Sequence, residues 1–313
     1  MKGTIRLLFA LFPLLCACGN GHSPLLPRSG GKPYEVLLIG DEDSLIYKVL
    51  DADAEGLPQS EPSFDISTTD MNHFNQSVRL ARSIVIVNID KKLFTNANIK
   101  YEKNVYAEPQ MIVYVNAPSV NSIRMALPKM ASQLRKLLVR AEMNAEIMNL
   151  KTRQNAKATS MIRQRLGCEI LIPADMTSHK EGKDFIWMSN NAATGMQNIC
   201  VYALPENEDI IKGRDSVMKI NMPGEEKGMY MMTAAKSVEC SLANEKGEQM
   251  MIARGLWEMR NDAMGGPFVL HAVTDKLNHR VIVAEAFVYA PEMNKRNKLR
   301  QIEAALYTLK IKE

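Results

Sequence analysis

Residues 268–290 read FVLHAVTDKLNHRVIVAEAFVYA, two β-rich runs joined by the polar connection DKLNH at 275–279. Valine, isoleucine, phenylalanine and tyrosine suit a pleated surface, and a short polar link between two such runs predicts an antiparallel hairpin. Outward from it, strand-length runs recur upstream at 168–172, 185–188, 198–203, 229–235 and 250–257, mostly joined by turns. Downstream, residues 293–310 carry Leu299, Ile302, Leu306 and Leu309 at helical spacing, which predicts a closing helix with one apolar face. The second half therefore reads as a largely antiparallel sheet with packed helices.

The first half has a different rhythm. YEVLLIG at 34–40 ends in Gly-Asp and is followed by Leu45, Ile46, Val49 and Leu50 on one face of a short helix. After the turn-rich GLPQSEPS at 56–63, strands are expected at 64–67, 83–89 (SIVIVNI) and 111–116 (MIVYVN). The continuous apolar run at 83–89 predicts a strand covered on both faces, and the alternation of elements predicts a βαβ-like part with a partly parallel sheet. Between the halves, residues 120–167 hold ten lysines and arginines but only Glu142 and Glu146 as acids. Met130, Leu134, Leu137, Leu138, Ala141, Ala145 and Met148 recur every three or four residues, predicting one long helix or two in line, with Pro128 near the start where proline is tolerated. The basic face reads either as a surface for anionic lipid or glycolipid phosphates, or as a solvated face paired with acids elsewhere. The fold class is α/β mixed with α+β. VYVNAP (113–118), VYALP (201–205) and VYAP (288–291) each end a strand before an expected helix, a faint internal echo explained by proline's preference for helix starts.

The N-terminus supplies an address. Lys2 and Arg6 precede LLFALFPLL at 7–15, an apolar run of secretory-signal length that is too short for a permanent span. Leu15-Cys16-Ala17-Cys18 follows as a lipobox, with small Ala17 placing the acylated residue at Cys18 rather than at Cys16, which has Leu15 before it. Residues 1–17 are thus expected to be a lipoprotein signal peptide. Residues 18–32 (CGNGHSPLLPRSGGK) form a flexible tether reaching roughly 45 Å when extended. The remainder divides into 33–118 (α/β part), 119–167 (basic helical segment) and 168–313 (antiparallel part), with 33–313 compatible with one continuous domain. Gly19 carries no acidic retention signal, so the expected location is the periplasmic face of the outer membrane, with the chain held there through its palmitate-type anchor. Without Lys2 and Arg6 the chain has 37 basic and 35 acidic residues, a balance that does not point to nucleic acid.

Catalytic signatures are absent from the sequence. It contains no phosphate-binding glycine loop, dinucleotide fingerprint, zinc helix or nucleophile elbow, and its five histidines show no metal-ligand spacing. No cofactor or metal is expected. Cys168, Cys200 and Cys240 lie in or beside apolar runs, as buried thiols or as one disulfide with a spare. Met229, Met231, Met232, Met250 and Met251 are dense enough to suggest copper(I) chemistry but suit core filling better. The most motif-like stretch is ARGLWEMRNDAMGGPFVL at 253–270. Arg254, Trp257, Arg260 and Asp262 there form a candidate ligand-binding loop, with Trp257 as an aromatic platform and Arg260 in reach of Asp262. The competing reading is a hairpin turn whose tryptophan plugs the core.

RGLWEMRNDAMGGPFV (254–269), RVIVAEAFVYAP (280–291) and KRNKLRQIEAALYTLK (295–310), with YEVLLIGD (34–41) and IVIVNID (84–90), resemble envelope lipoproteins of the domain of unknown function 4837 family. The resemblance extends over about residues 33–310 and implies lipid anchoring, while the family brings no activity with it. Two functions are consistent with the residues. One is a non-enzymatic binding or assembly module contacting an envelope protein or an anionic lipid or glycolipid. The other is a hydrolase or transferase acting on envelope glycan through carboxylates such as Glu258, Asp262 or Glu285, which requires two carboxyl groups roughly 5–9.5 Å apart in a pocket.

Overall fold

The computed structural model describes residues 25–245 and 248–311. Strands β1 (Glu35–Ile39), β2 (Asp65–Thr69), β3 (Ser83–Ile89), β4 (Asn98–Lys103) and β5 (Met111–Ala117) form one sheet in the order β2-β1-β3-β5-β4. The first four in that order are parallel, and β4 is antiparallel to β5 at the edge. Parallel strands need crossovers, and helix α1 (Leu45–Leu50) supplies the first of them. Asp41, directly after Gly40, accepts hydrogen bonds from the amides of Leu45, Ile46 and Tyr47 and so satisfies the start of that helix. As the apolar run predicts, β3 is covered on both sides. Val85 and Val87 face α1 and α2 (Val120–Thr152), whereas Ile84 and Ile86 pack with Phe74 and Tyr106.

α2 carries the chain out of this sheet. The Ser119 hydroxyl caps it by accepting from the Ser122 amide at 3.2 Å. Pro128 is its ninth residue, not part of its first turn, so the Arg124 carbonyl lacks an intrahelical donor; Pro128 itself is exposed, where water can serve. The helix stops at Arg153, and α3 (Ala156–Leu166) restarts behind the Asn155 cap, so the basic segment is two helices in line.

Next come β6 (Cys168–Glu169), β7 (Ser178–Gly182), β8 (Phe185–Ser189), β9 (Met196–Pro205), α4 (Ile210–Asn221), β10 (Met231–Thr233), β11 (Glu239–Glu245), β12 (Glu248–Met259), β13 (Gly265–Asp275), β14 (Arg280–Tyr289), α5 (Arg296–Leu306) and β15 (Lys310–Ile311). Eight of these strands build an antiparallel sheet ordered β10-β12-β13-β14-β9-β8-β7, with β11 sharing the outer edge of β12 with β10. The hairpin of residues 268–290 lies at its centre, closed by the pair Asp275 and Arg280, whose side chains meet at 2.8 Å. Pleating sends Ile282, Ala284, Ala286 and Val288 toward α3, α5 and the end of α2, while Val281, Val283 and Phe287 face α4. Cys168, expected in a five-residue strand, sits in a two-residue strand paired with β15.

The two sheets share α2: Ile123, Met130, Leu134 and Leu138 belong to the first core, Met143 and Leu150 to the second. The loop at 52–63 makes a second join. Buried Glu61 accepts from the amides of Lys295 and Arg296 at 2.7 and 2.9 Å and thereby caps α5. Arg296 in turn bonds the Asp65 carboxylate at 2.7 Å and the Pro62 carbonyl.

Two expectations change. The tether, expected free over 18–32, is bonded to the first sheet from Pro27 onward: the Pro27 carbonyl accepts from Glu108, and Gly30 bonds Leu80 and Arg82. The three proline echoes do not start helices; α2, α4 and α5 begin behind Ser119, Asp209 and Lys295, beyond each proline. The signal peptide at 1–17 and the lipidation site Cys18 lie outside the described residues. Among the described residues no helix is long and apolar enough to cross a membrane.

Candidate functional site

A cleft of about 490 Å³ opens where α2, α5, the 52–63 loop and the β11–β12 edge meet. Its size falls in the usual range of small-molecule sites. One wall comes from α2, where Ser132, Arg135, Lys136, Val139, Arg140 and Met143 recur at helical spacing on one side. Arg300, Glu303 and Tyr307, three and four residues apart on α5, form the facing wall. Ile252 and Arg254 of β12 point the same way because they are two positions apart on the strand, and Asp53 and Glu55 stand at the rim.

The charges differ in how they are held. Arg254 forks onto Glu303, with one bond at 3.0 Å from Nη1 to Oε2 and a second from Nη2 to Oε1. Burial alone would raise the Glu303 carboxyl, but the Arg254 guanidinium outweighs it and holds the pKa below the usual range. Arg300 is stacked on Tyr34 and Phe64, 4.7 and 5.9 Å from the ring centres, and donates to the Ser63 carbonyl at 2.7 Å. Burial and the like charge of Arg296 lower its pKa. Arg135 makes a long bond of 3.4 Å to the Val49 carbonyl, and the Arg140 guanidinium lies 5.3 Å from the Tyr307 ring centre. Beneath Tyr307, the buried His271 ring meets it edge-on at 4.5 Å.

The structure disperses the candidate loop. Arg254 and Trp257 are three residues apart on one strand, so the pleat sends them to opposite faces. Arg254 reaches the cleft, and Trp257 is buried against Phe287 and Tyr289 with its indole N–H on the Val288 carbonyl. The tryptophan is therefore a core plug and no platform. Arg260 does not turn to Asp262; it donates to the Tyr230 hydroxyl at 2.6 Å, while Asp262 accepts from the Met264 amide inside the turn. The three carboxylates considered for glycan chemistry do not share the cleft. Glu258 and Asp262 are exposed, and Glu285 is fully buried on the other face in an ion pair with Arg214.

Among the described residues the cysteines are free thiols; Cys168 and Cys200 are buried, whereas Cys240 is exposed on the edge strand β11, contrary to a uniformly buried set. Burial pushes Cys168 up to about 12. Met231 and Met250 fill different cores on opposite faces of the sheet and make no common site. In the basic segment, Arg163 and Arg165 face Glu169 and Glu181 at 3.8 and 3.4 Å, while Arg135, Lys136 and Arg140 turn to the cleft. The basic run was the sequence signal for this site. Its α5 partners, Arg300 and Glu303, carried none, since they sit within an ordinary amphipathic helix.

Comparison with known proteins finds no match among curated proteins. Among solved structures, the yeast (Saccharomyces cerevisiae) Ran-binding protein Mog1p matches 46% of this chain and 90% of its own, at 10% identity and a TM-score of 0.31. A structure from Bacteroides thetaiotaomicron matches 47% of this chain and 46% of its own, at 15% identity and a TM-score of 0.21. A domain of unknown function, DUF8532, matches residues 29–151, so the resemblance expected over 33–310 covers only the second half. That half matches the domain of unknown function DUF4837, and over residues 155–308 the chain belongs to the DUF4837 family.

Proposed function

We propose that this protein is a non-enzymatic binding module, held in the bacterial envelope by lipid on Cys18 and facing the periplasm from the outer membrane, that takes its ligand in the α2–α5 cleft. The observation that carries the reading is convergence. Cations from α2, β12 and α5, far apart in sequence, meet around a concave space of ligand size. The buried carboxylate of the cleft, Glu303, is engaged by Arg254 in an ion pair, an arrangement suited to holding a ligand. The anchor is supported by the charged start, the apolar run and the Ala17-Cys18 junction.

Site-specific photocrosslinking in intact cells tests this. A photoreactive residue at Lys136, on the cleft wall, should capture a discrete adduct that the same residue at exposed Lys227 does not. Recovery of uncrosslinked chain alone from both positions would overturn the binding reading. The mass of the envelope-extracted chain should correspond to an acylated Cys18 N-terminus, and any other N-terminus would overturn the anchor.

A further inference from the structure

We infer, resting on the Cys18 anchor, that the short span between lipid and fold holds one face of the protein against the bilayer, namely the layer made by residues 25–32, the loop at 70–82 and the loop at 104–109. The α2–α5 cleft, walled on the other face of the first sheet, is then kept on the aqueous side, and its ligand arrives from there and not from the leaflet that carries the anchor.

The point where the chain joins the fold decides this. The Glu108 amide donates to the Pro27 carbonyl, Ser29 donates back to the Glu108 carbonyl, and Gly30 bonds Leu80 and Arg82. These partners directly precede β5 and β3, and Val78, Ala81, Val105 and Tyr106 around them pack with Ile84, Ile86 and Ile112 on one face of the first sheet. Val85, Val87, Val113 and Val115 meet α2 on the other. Tether layer, sheet and α2 are therefore stacked in that order. Nine residue steps separate Cys18 from Pro27, a reach of about 30 Å at ~3.3 Å per step. A compact chain of about 290 residues has a radius of gyration of about 19 Å, hence a diameter of roughly 50 Å. To turn the outer side of α2 to the bilayer, the tether would have to pass around the molecule, which is farther than it can stretch.

The surface of the layer suits lipid. Leu25 is fully exposed and Met71 is 58% exposed, two apolar side chains that a bilayer interface would cover. The exposed ionic groups balance, Arg28 and Lys32 against Asp70 and Glu108, with His73 on Asp70 at 2.8 Å. The contact therefore requires no anionic lipid, whereas the exposed cations Arg124 and Lys129 of α2 stand on the far side of the sheet.

The test reconstitutes the full acylated chain in phosphatidylcholine vesicles that contain a lipid with a nitroxide on its headgroup, a short-range fluorescence quencher. Cys240→Ser removes the exposed thiol, and a maleimide fluorophore is attached through Gln76→Cys on the layer or Lys129→Cys on α2, both exposed positions. The Gln76 label should be quenched severalfold more than the Lys129 label, with the same ratio when phosphatidylglycerol replaces part of the phosphatidylcholine. Equal quenching at the two sites, from a chain whose mass shows an acylated Cys18, overturns the inference. A reversal in phosphatidylglycerol seats the basic face of α2 on lipid and overturns it as well. A chain that carries no acyl group on Cys18 and is quenched at neither site overturns the anchor instead, and the inference falls with it. Inserting about twenty Gly and Ser residues between Gly21 and His22 should remove most of the contrast, and a contrast kept in full would overturn the short span as its cause.

Discussion

Replacing Arg214 by methionine should be among the most damaging single changes in this chain. The Arg214 side chain is fully buried, and each of its N–H groups has an acceptor. Nε lies 3.1 and 3.0 Å from the two Glu285 oxygens, and Nη2 lies 2.7 Å from Glu285 Oε1 and 3.8 Å from the Met231 sulfur. Nη1 reaches Asp215 and Thr233 at 3.1 and 3.0 Å, and the guanidinium stands 4.1 Å from the Phe268 ring centre. Methionine fills much of the volume but leaves Glu285, also fully buried, with the Tyr202 hydroxyl at 3.0 Å as its remaining donor. Stranding one member of a buried pair costs about 3–5 kcal/mol, a large share of the ~5–15 kcal/mol that holds a domain together. Urea unfolding followed by circular dichroism should show the midpoint falling with little change in slope. Arg214→Met combined with Glu285→Leu should recover about 2 kcal/mol of the loss, because no uncompensated charge remains. A loss below about 1 kcal/mol for the single variant, or a double variant as unstable as the sum of the singles, would refute this account.

Further outcomes follow from other parts of the fold. Glu61→Ala should cost about 1–3 kcal/mol in the same urea assay, since two buried amides at the start of α5 lose their acceptor; an unchanged midpoint would mean that water replaces the carboxylate. Trp257→Ala should cost about 3–5 kcal/mol through the cavity it leaves, with no effect on binding in the cleft on the other face of the sheet. Because the folded-state pKa of Glu303 is depressed, its contribution is present above the unfolded carboxyl pKa of about 4.3 and is lost as pH falls through the folded value. The urea midpoint should therefore drop between about pH 5 and pH 3 more steeply in the native sequence than in Glu303→Gln, and equal slopes would count against it. A maleimide should label Cys240 in the native protein and reach Cys168 and Cys200 only after unfolding, as intact-mass measurement would record.

The sequence made the central strands and the amphipathic helices legible because burial writes itself into residue type. β3 spans the whole of SIVIVNI, and β14 follows the RVIVAEAFVY run. The elements it concealed are those whose residues face water. β4 (NIKYEK) and β7 (SHKEG) are edge strands held by backbone bonds, and β11 (ECSLANE) shows little apolar alternation. α4 was hidden for another reason, since part of its inward face is Arg214, a residue that is read as surface until its carboxylate partner is known. The cleft was half legible. The basic stretch of α2 stood out, but the partners that turn three of its cations into a wall come from residues 53–63, 252–254 and 300–307, which only the fold brings near. Within 253–270 the glycines and tryptophan suggested a binding loop, and strand pleating divided that cluster between a cleft and a core.

The Glu61 cap bears on how this chain could have been put together. The matches to two different families meet in the gap after residue 151, beside the break between α2 and α3, as though two inherited pieces were joined there. The helix that closes the second piece begins on a carboxylate from the first, and Arg296 reaches the Pro62 carbonyl and Asp65 in the same stretch. Whatever its ancestry, the later piece is no longer exchangeable. Transplanted behind another partner, it would carry a buried helix start with no acceptor, so recombination at this boundary is open only to partners that bring an equivalent acid.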